Sequence, residues 1–155
     1  MTELSVLQEA QMREHGSADF RQTLNGFLKM ATILDGPAYM EAIARRSRVL
    51  RNWLAFLETY PVVLTPLSVK RTPAARADLD GDICVCSLFW NDLRFMSSIN
   101  VLGLPAAVVP VGLVNGNPVG VQLIGSRYRE DLCLDAAAAI EAKVGIMVNR
   151  LWERN

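Results

Sequence analysis

Ala106-Ala107-Val108-Val109-Pro110-Val111, then Asn115-Gly116-Asn117, then Val119-Gly120-Val121-Gln122-Leu123-Ile124-Gly125 is the stretch that decides the fold of this 155-residue chain. Two runs rich in β-branched residues flank an Asn-Gly pair. Asn and Gly tolerate positive φ, so the pair supplies the tight turn of an antiparallel hairpin. Gly125 ends the second strand. The hairpin needs further strands and helices to bury its faces.

Outward from the hairpin, the pattern alternates helix and strand. Residues Ser87 to Asn100 read as a helix, with Phe89, Trp90, Leu93 and Met96 as packing residues. Gly103 turns the chain from that helix into the strand, and Pro105 starts the strand where no ladder amide is needed. After the hairpin, Arg129 to Ala142 reads as a helix with Glu130 and Asp131 in its first turn, where the dipole favours acids. Its expected inner face is Leu132, Ala136, Ala139 and Ile140, and Gly145 is its stop. The tail to Asn155 is expected to add a short strand or to fray.

Upstream, Val62-Val63-Leu64-Thr65 is a continuous apolar run that ends at Pro66, expected as a strand covered on both faces. A long helix precedes it. Asp35 is placed to cap it, Pro37 suits its first turn, and Pro61 ends it. Ile43, Leu50, Trp53, Leu54 and Leu57 line one side, while Arg45, Arg46, Arg48 and Arg51 are read as a solvated face paired with Glu41. Lys70 to Asp82 reads as a loop. Near the N-terminus, Leu4 to Arg13 is expected as one short helix and Asp19 to Ala31 as another, the latter with Phe20, Leu24, Phe27 and Leu28 on one face. The fold class is therefore α/β, a mixed β-sheet flanked by helices. Three parts are expected: a helical segment 1–36, a main body 37–145 and a tail 146–155.

Sixteen basic and sixteen acidic residues balance to a formal charge of zero. That balance gives no electrostatic case for a nucleic-acid or membrane-surface partner. No apolar run approaches the roughly 20 residues of a membrane span. The three cysteines are an odd number, which argues against a disulfide framework and for a reducing, cytoplasmic setting. Hydrophobic residues make up 51% of the chain and mean hydropathy is +0.19, high enough that some apolar surface is expected to meet a partner or missing sequence.

A longer order of residues carries a resemblance. Phe95-Met96-Ser97-Ser98-Ile99-Asn100-Val101-Leu102-Gly103-Leu104-Pro105-Ala106 leads through Val109-Pro110-Val111-Gly112 to Pro118-Val119-Gly120-Val121-Gln122-Leu123-Ile124-Gly125. Asp131, Leu132 and Leu134 follow, and Tyr60-Pro61-Val62-Val63-Leu64-Thr65-Pro66 stands upstream. Over about residues 37 to 142 the chain resembles the C-terminal part of the amidase-signature family. The resemblance implies a partial amidase-signature fold, and amide hydrolysis to a carboxylate plus ammonia or amine, with no metal or organic cofactor. It leaves a hydrolase and an amidotransferase parent both open. Enzymes of this family use a Ser–cis-Ser–Lys triad and a glycine-rich loop whose amides hold the oxyanion.

That machinery precedes the matched region, and the Gly-Gly-Ser-Ser-Gly loop does not occur in these 155 residues. No catalytic residue is therefore assigned. Ser97-Ser98 lies in a predicted helix between Met96 and Ile99, without an oxyanion loop. Lys29, Lys70 and Lys143 have no local motif. His15 with Cys84, Cys86 and Cys133 has four ligand types by count, yet not the spacing of a zinc site, and buried free cysteines are the simpler reading. Phe89, Trp90, Phe95 and Asn100 are candidates for the wall of a substrate pocket, since this part of the family lines the substrate side; packing residues are the plainer alternative. Three functional readings follow: an inactive amidase portion, a subunit that completes a split amidase with a separate N-terminal half, or a self-associating, non-catalytic scaffold.

Overall fold

The computed structural model describes residues 1–71, 73–80 and 90–152. The chain divides into two compact units, one of residues 1–45 and 71–92, the other of residues 46–70 and 93–155.

The first unit is helical. Helices α1 (Thr2–Leu7) and α2 (Glu9–His15) are separated at Gln8, whose φ of −129° breaks what the sequence suggested as one helix. Helix α3 (Ala18–Met30) starts at Ser17, whose Oγ accepts from the Phe20 amide at 3.1 Å. Leu24 is buried as expected from the apolar spacing, while Phe20 is 41% exposed. Phe27 meets Trp90 edge to face, with ring centroids 6.2 Å apart. The segment expected as plain loop contains a 3₁₀ turn at Ala77–Asp80, tied to α3 by Thr23 Oγ1 donating to Asp78 Oδ2 at 3.1 Å and by the Arg76–Asp19 ion pair.

Helix α4 (Gly36–Thr59) runs through both units. Asp35 Oδ1 accepts from the Ala38 amide at 2.9 Å, so the cap read from the sequence forms. In the second unit, β1 (Val62–Pro66), helix α5 (Arg94–Leu102), β2 (Ala106–Val114), β3 (Asn117–Gly125) and helix α6 (Glu130–Val144) follow in order. The three strands form one sheet of order β1-β3-β2, with both pairings antiparallel. Asn115 and Gly116 have φ of 52° and 80°, the two positive values that a two-residue hairpin turn of this hand requires. Pairing slips by one residue between Pro110 and Gly112, a bulge on the β2 edge.

Each face of the sheet is covered differently. Ile124 and Val63 are cross-strand partners and share a cluster with Leu50, Trp53, Leu54 and Leu57 of α4 and with Ile99 and Leu102 of α5. Strand alternation sends Leu123 and Val109 to the other face, where α6 packs on the sheet. The inner face of α6 is Leu132, Cys133, Ala136, Ala137 and Ile140; Ala139 points out, because the helix meets the sheet one step round from the stripe inferred from spacing. Gly145 ends α6 at φ 80°.

Three expectations change. The apolar run of β1 is not covered on both faces: Leu64 is 57% exposed, because β1 lies at the sheet margin rather than its centre. In the tail, Met147–Trp152 form a helix, α7, that buries Met147 to 3% exposure, in place of the expected strand; positions 153–155 lie outside the described residues. The helix expected from Ser87 begins at Arg94 after a turn at Leu93, with residues 90–92 also helical; positions 87–89 lie outside the described residues.

Candidate functional site

The second unit builds one junction from which a site can be read. Helix α5 ends at Gly103, with φ 69° and ψ 40°, a left-handed conformation that glycine takes without steric cost. The Gly103 amide donates to Ile99 and Asn100 carbonyls, and the chain passes through Leu104 and Pro105 into β2. Beside this turn, β3 ends at Gly125, whose amide donates to Pro105 O at 3.0 Å. Gly103, Leu104, Pro105, Arg127, Tyr128 and Glu130 line an open cleft of about 500 Å³.

Arg46 closes the same helix end. Its guanidinium donates to the Val101 carbonyl and, at 3.3 Å, to the Leu102 carbonyl. Those carbonyls have no intrahelical partner, and a cation there complements the negative helix terminus. The reading of Arg46 as a solvated charge is therefore corrected. The local sequence could not reveal this, because its partners lie 55 and 56 positions away. Arg45, Arg48 and Arg51 are exposed, as read, but Glu41 forms no ion pair among the described residues.

Cys133 sits under this junction, 2% exposed, with Sγ 3.7 Å from Pro105 O. Burial pushes its thiol pKa up, and the carboxylates of Glu130 and Asp131 add to the shift. A protonated buried thiol is a poor nucleophile. Iodoacetamide at neutral pH is expected to leave Cys133 unmodified in the native chain and to modify it after denaturation, as read by peptide mass spectrometry. The raised thiol also stabilises the fold only while it is protonated. That contribution is intact below the pKa of an unfolded thiol and is lost as pH rises through the folded value.

On the opposite face of the sheet, Thr65 and Gln122 are cross-strand partners. Gln122 is 2% exposed, and neither its Nε2 nor Thr65 Oγ1 has a hydrogen-bond partner among the described residues. An unpaired buried amide costs about 1–3 kcal/mol. Gln122→Met, which keeps length and removes the donor, is expected to raise the melting temperature of the chain by roughly 2–8 °C. A fall of that size in a calorimetric scan would mean that the amide is satisfied.

The other residues singled out from the sequence divide between the two units. Trp90 is 38% exposed in the first unit, against Phe27. Phe95 and Asn100 belong to α5 in the second unit, Phe95 half-buried with the Arg94 guanidinium 5.3 Å from its ring centre and Asn100 exposed. Phe89, Cys84 and Cys86 lie outside the described residues. Ser97 and Ser98 stand on α5, Lys143 in the last turn of α6, and His15 at the exposed end of α2. Among the described residues no three His, Cys, Asp or Glu side chains gather as a metal site, and no helix is long and apolar enough to cross a membrane.

The first unit holds a smaller cavity of about 340 Å³, lined by Ser5, Glu9, Arg13, Asn25, Leu28, Lys29 and Ile33. Four of its polar residues bond one another. Ser5 Oγ and Arg13 Nε each donate to Glu9 at 2.8 Å, and Arg13 also donates to Asn25 Oδ1. The hydrogen bonds from Ser5 and Arg13 hold the Glu9 carboxyl below the usual carboxylate range.

Comparison with known proteins adds to this geometry. A family model described as Amidase matches residues 7–134. An indoleacetamide hydrolase of Bradyrhizobium japonicum is 52% identical over 151 residues, covering 97% of this chain and 32% of that protein. A glutamyl-tRNA(Gln) amidotransferase subunit of Mesorhizobium japonicum is 30% identical over 88% of this chain and 27% of its own length. Among solved structures, 6-aminohexanoate cyclic dimer hydrolase superposes with a TM-score of 0.64 at 25% identity, over 80% of this chain and 28% of that one. The chain thus spans about a third of the length of these relatives.

Proposed function

Because the chain belongs to the amidase family, we propose that it is the C-terminal portion of an amide hydrolase, which completes the fold and the substrate side but does not turn over amides by itself. One observation carries this reading. Nearly the whole chain aligns, at 52% identity, to a hydrolase about three times longer, while the glycine-rich serine loop of the family does not occur in these 155 residues.

The reaction of the completed enzyme is hydrolysis of a primary amide: water adds its oxygen to the acyl carbon, the C–N bond breaks, and a carboxylic acid and ammonia leave. The similarity to an indoleacetamide hydrolase supports an arylacetamide as the substrate. Phe95 and Asn100, both on α5 of the second unit, are assigned to the wall that receives its aryl group, where the Phe95 ring supplies apolar area and Asn100 supplies an amide. The serine, bridging serine and lysine are assigned to the N-terminal amidase portion, whether joined to this stretch or supplied as a separate half, in a cytoplasmic setting.

Treating the purified chain with a fluorophosphonate probe and with indole-3-acetamide tests the proposal. The expected result is no labelled serine and no ammonia above the uncatalysed rate. A labelled serine, or steady ammonia release from the chain alone, would overturn it.

A further inference from the structure

Val49, Trp53, Phe56 and Tyr60 recur along the second-unit part of α4 and its exit at spacings of four, three and four. That is the alternation of a helix seam made to receive another helix. The residues form a continuous ladder leading out of the core. Trp53 packs on the buried cluster. Phe56 stands edge-on to Trp53 at 6.3 Å, and Tyr60 leans on Phe56 at 4.8 Å. Yet Val49 is 42% exposed, Phe56 48% and Tyr60 56%. Leu50, Leu54 and Leu57, one step round the helix, already face the sheet core, so the ladder is a second apolar face rather than the edge of the first. Asn52 and Thr59 on its border are exposed and uncharged, while the exposed Arg45 and Arg48, four residues before Val49 and Asn52, bring cations only to its N-terminal end.

We propose that this ladder is the docking face for the serine-bearing portion of the amidase fold, through an apolar helix of that portion laid along α4 for about 16 Å, the rise of eleven residues. The inference rests on the reading of the chain as a portion of a longer hydrolase. Relatives with 52% identity carry about two thirds of their length beyond what this chain matches. That length must cover apolar surface somewhere on the matched third, and aromatic anchors standing on a rigid helix are the residues that dominate such contacts. A second copy of this chain is the competing occupant, and the test separates the two.

The test co-expresses the chain with an affinity-tagged version of the part of the Bradyrhizobium japonicum hydrolase that it does not match. The readout is the amount of chain that co-purifies. Phe56→Glu, and Val49→Gln as a milder change on the same face, are compared with Leu134→Glu, a change at a residue 64% exposed on α6. Phe56→Glu is expected to reduce co-purification at least tenfold, Val49→Gln severalfold and Leu134→Glu less than twofold, with melting temperatures of the isolated variants unchanged. Equal recovery of Phe56→Glu and the parent chain would overturn the docking face while leaving the two-part enzyme standing. Failure of the parent chain to co-purify would overturn both. Light scattering that showed a dimer of the parent chain, lost in Phe56→Glu, would overturn the proposal in favour of self-association.

Discussion

Gly125→Ala is expected to lower the melting temperature by roughly 4–12 °C, the consequence of about 2–3 kcal/mol of overpacking in a domain of this size. A Cβ at this position would stand 2.8 Å from Cys133 Sγ and 3.1 Å from the Arg129 carbonyl. Neither obstacle moves easily. The sulfur belongs to a buried side chain anchored on α6, and the carbonyl is main chain at the start of that helix. The strain therefore loads the packing of α6 on the sheet, the contact that covers Leu123. Cys133→Ala removes the sulfur and is expected to suppress part of the loss, with a coupling of about 1 kcal/mol or more in a double-mutant cycle. Strict additivity of the two changes would show that the Cys133 contact is not the source. The remaining deficit reports the Arg129 carbonyl.

Gly103→Val has the second large effect, for a different reason. Nothing crowds Gly103: the nearest atom to an added Cβ is the end of Arg46, at 3.4 Å. Its cost is conformational. At φ 69° a β-branched side chain meets its own backbone, about 1–3 kcal/mol of strain for a residue without glycine's freedom and the upper end for valine. Gly103→Asn should lose less, because Asn visits the left-handed region by bonding locally. Arg46→Ala removes two hydrogen bonds to the α5 terminus and is expected to cost about 1 kcal/mol. The predicted order in a denaturant melt is Gly103→Val below Arg46→Ala, and Arg46→Ala below the parent chain. Equal midpoints for the two variants would refute the strain at Gly103.

The elements that depend on neighbours in sequence were legible; those that depend on distant partners were not. The Asn115-Gly116 turn fixes its own backbone, so the hairpin and its register direction followed from two residues. Asp35 and Pro37 marked the start of α4 through local amide chemistry. Arg46 shows the opposite case, since its role comes from carbonyls brought to it by tertiary packing. The exposure of Leu64 followed from the strand order β1-β3-β2, which an apolar run alone does not state. The tail helix was hidden because its six residues carry too little periodicity to tell helix from strand. The same division holds for the site. The family motif was readable because its glycines and prolines punctuate the backbone, and the matching family model covers that motif. The Thr65–Gln122 pair was not readable, because two polar residues 57 positions apart meet only through the β1–β3 register.

The central claim is that this chain supplies the fold and substrate side of an amide hydrolase whose serine machinery lies on other sequence. Ammonia release from indole-3-acetamide tests it most directly. The measurement is made with the purified chain, with the serine-bearing portion of the Bradyrhizobium japonicum hydrolase, and with the two co-expressed. Turnover in the co-expressed sample alone, abolished by replacing the partner's nucleophilic serine, is the predicted result. Turnover by the chain alone would contradict the claim, and so would a stable complex of the two portions without any turnover.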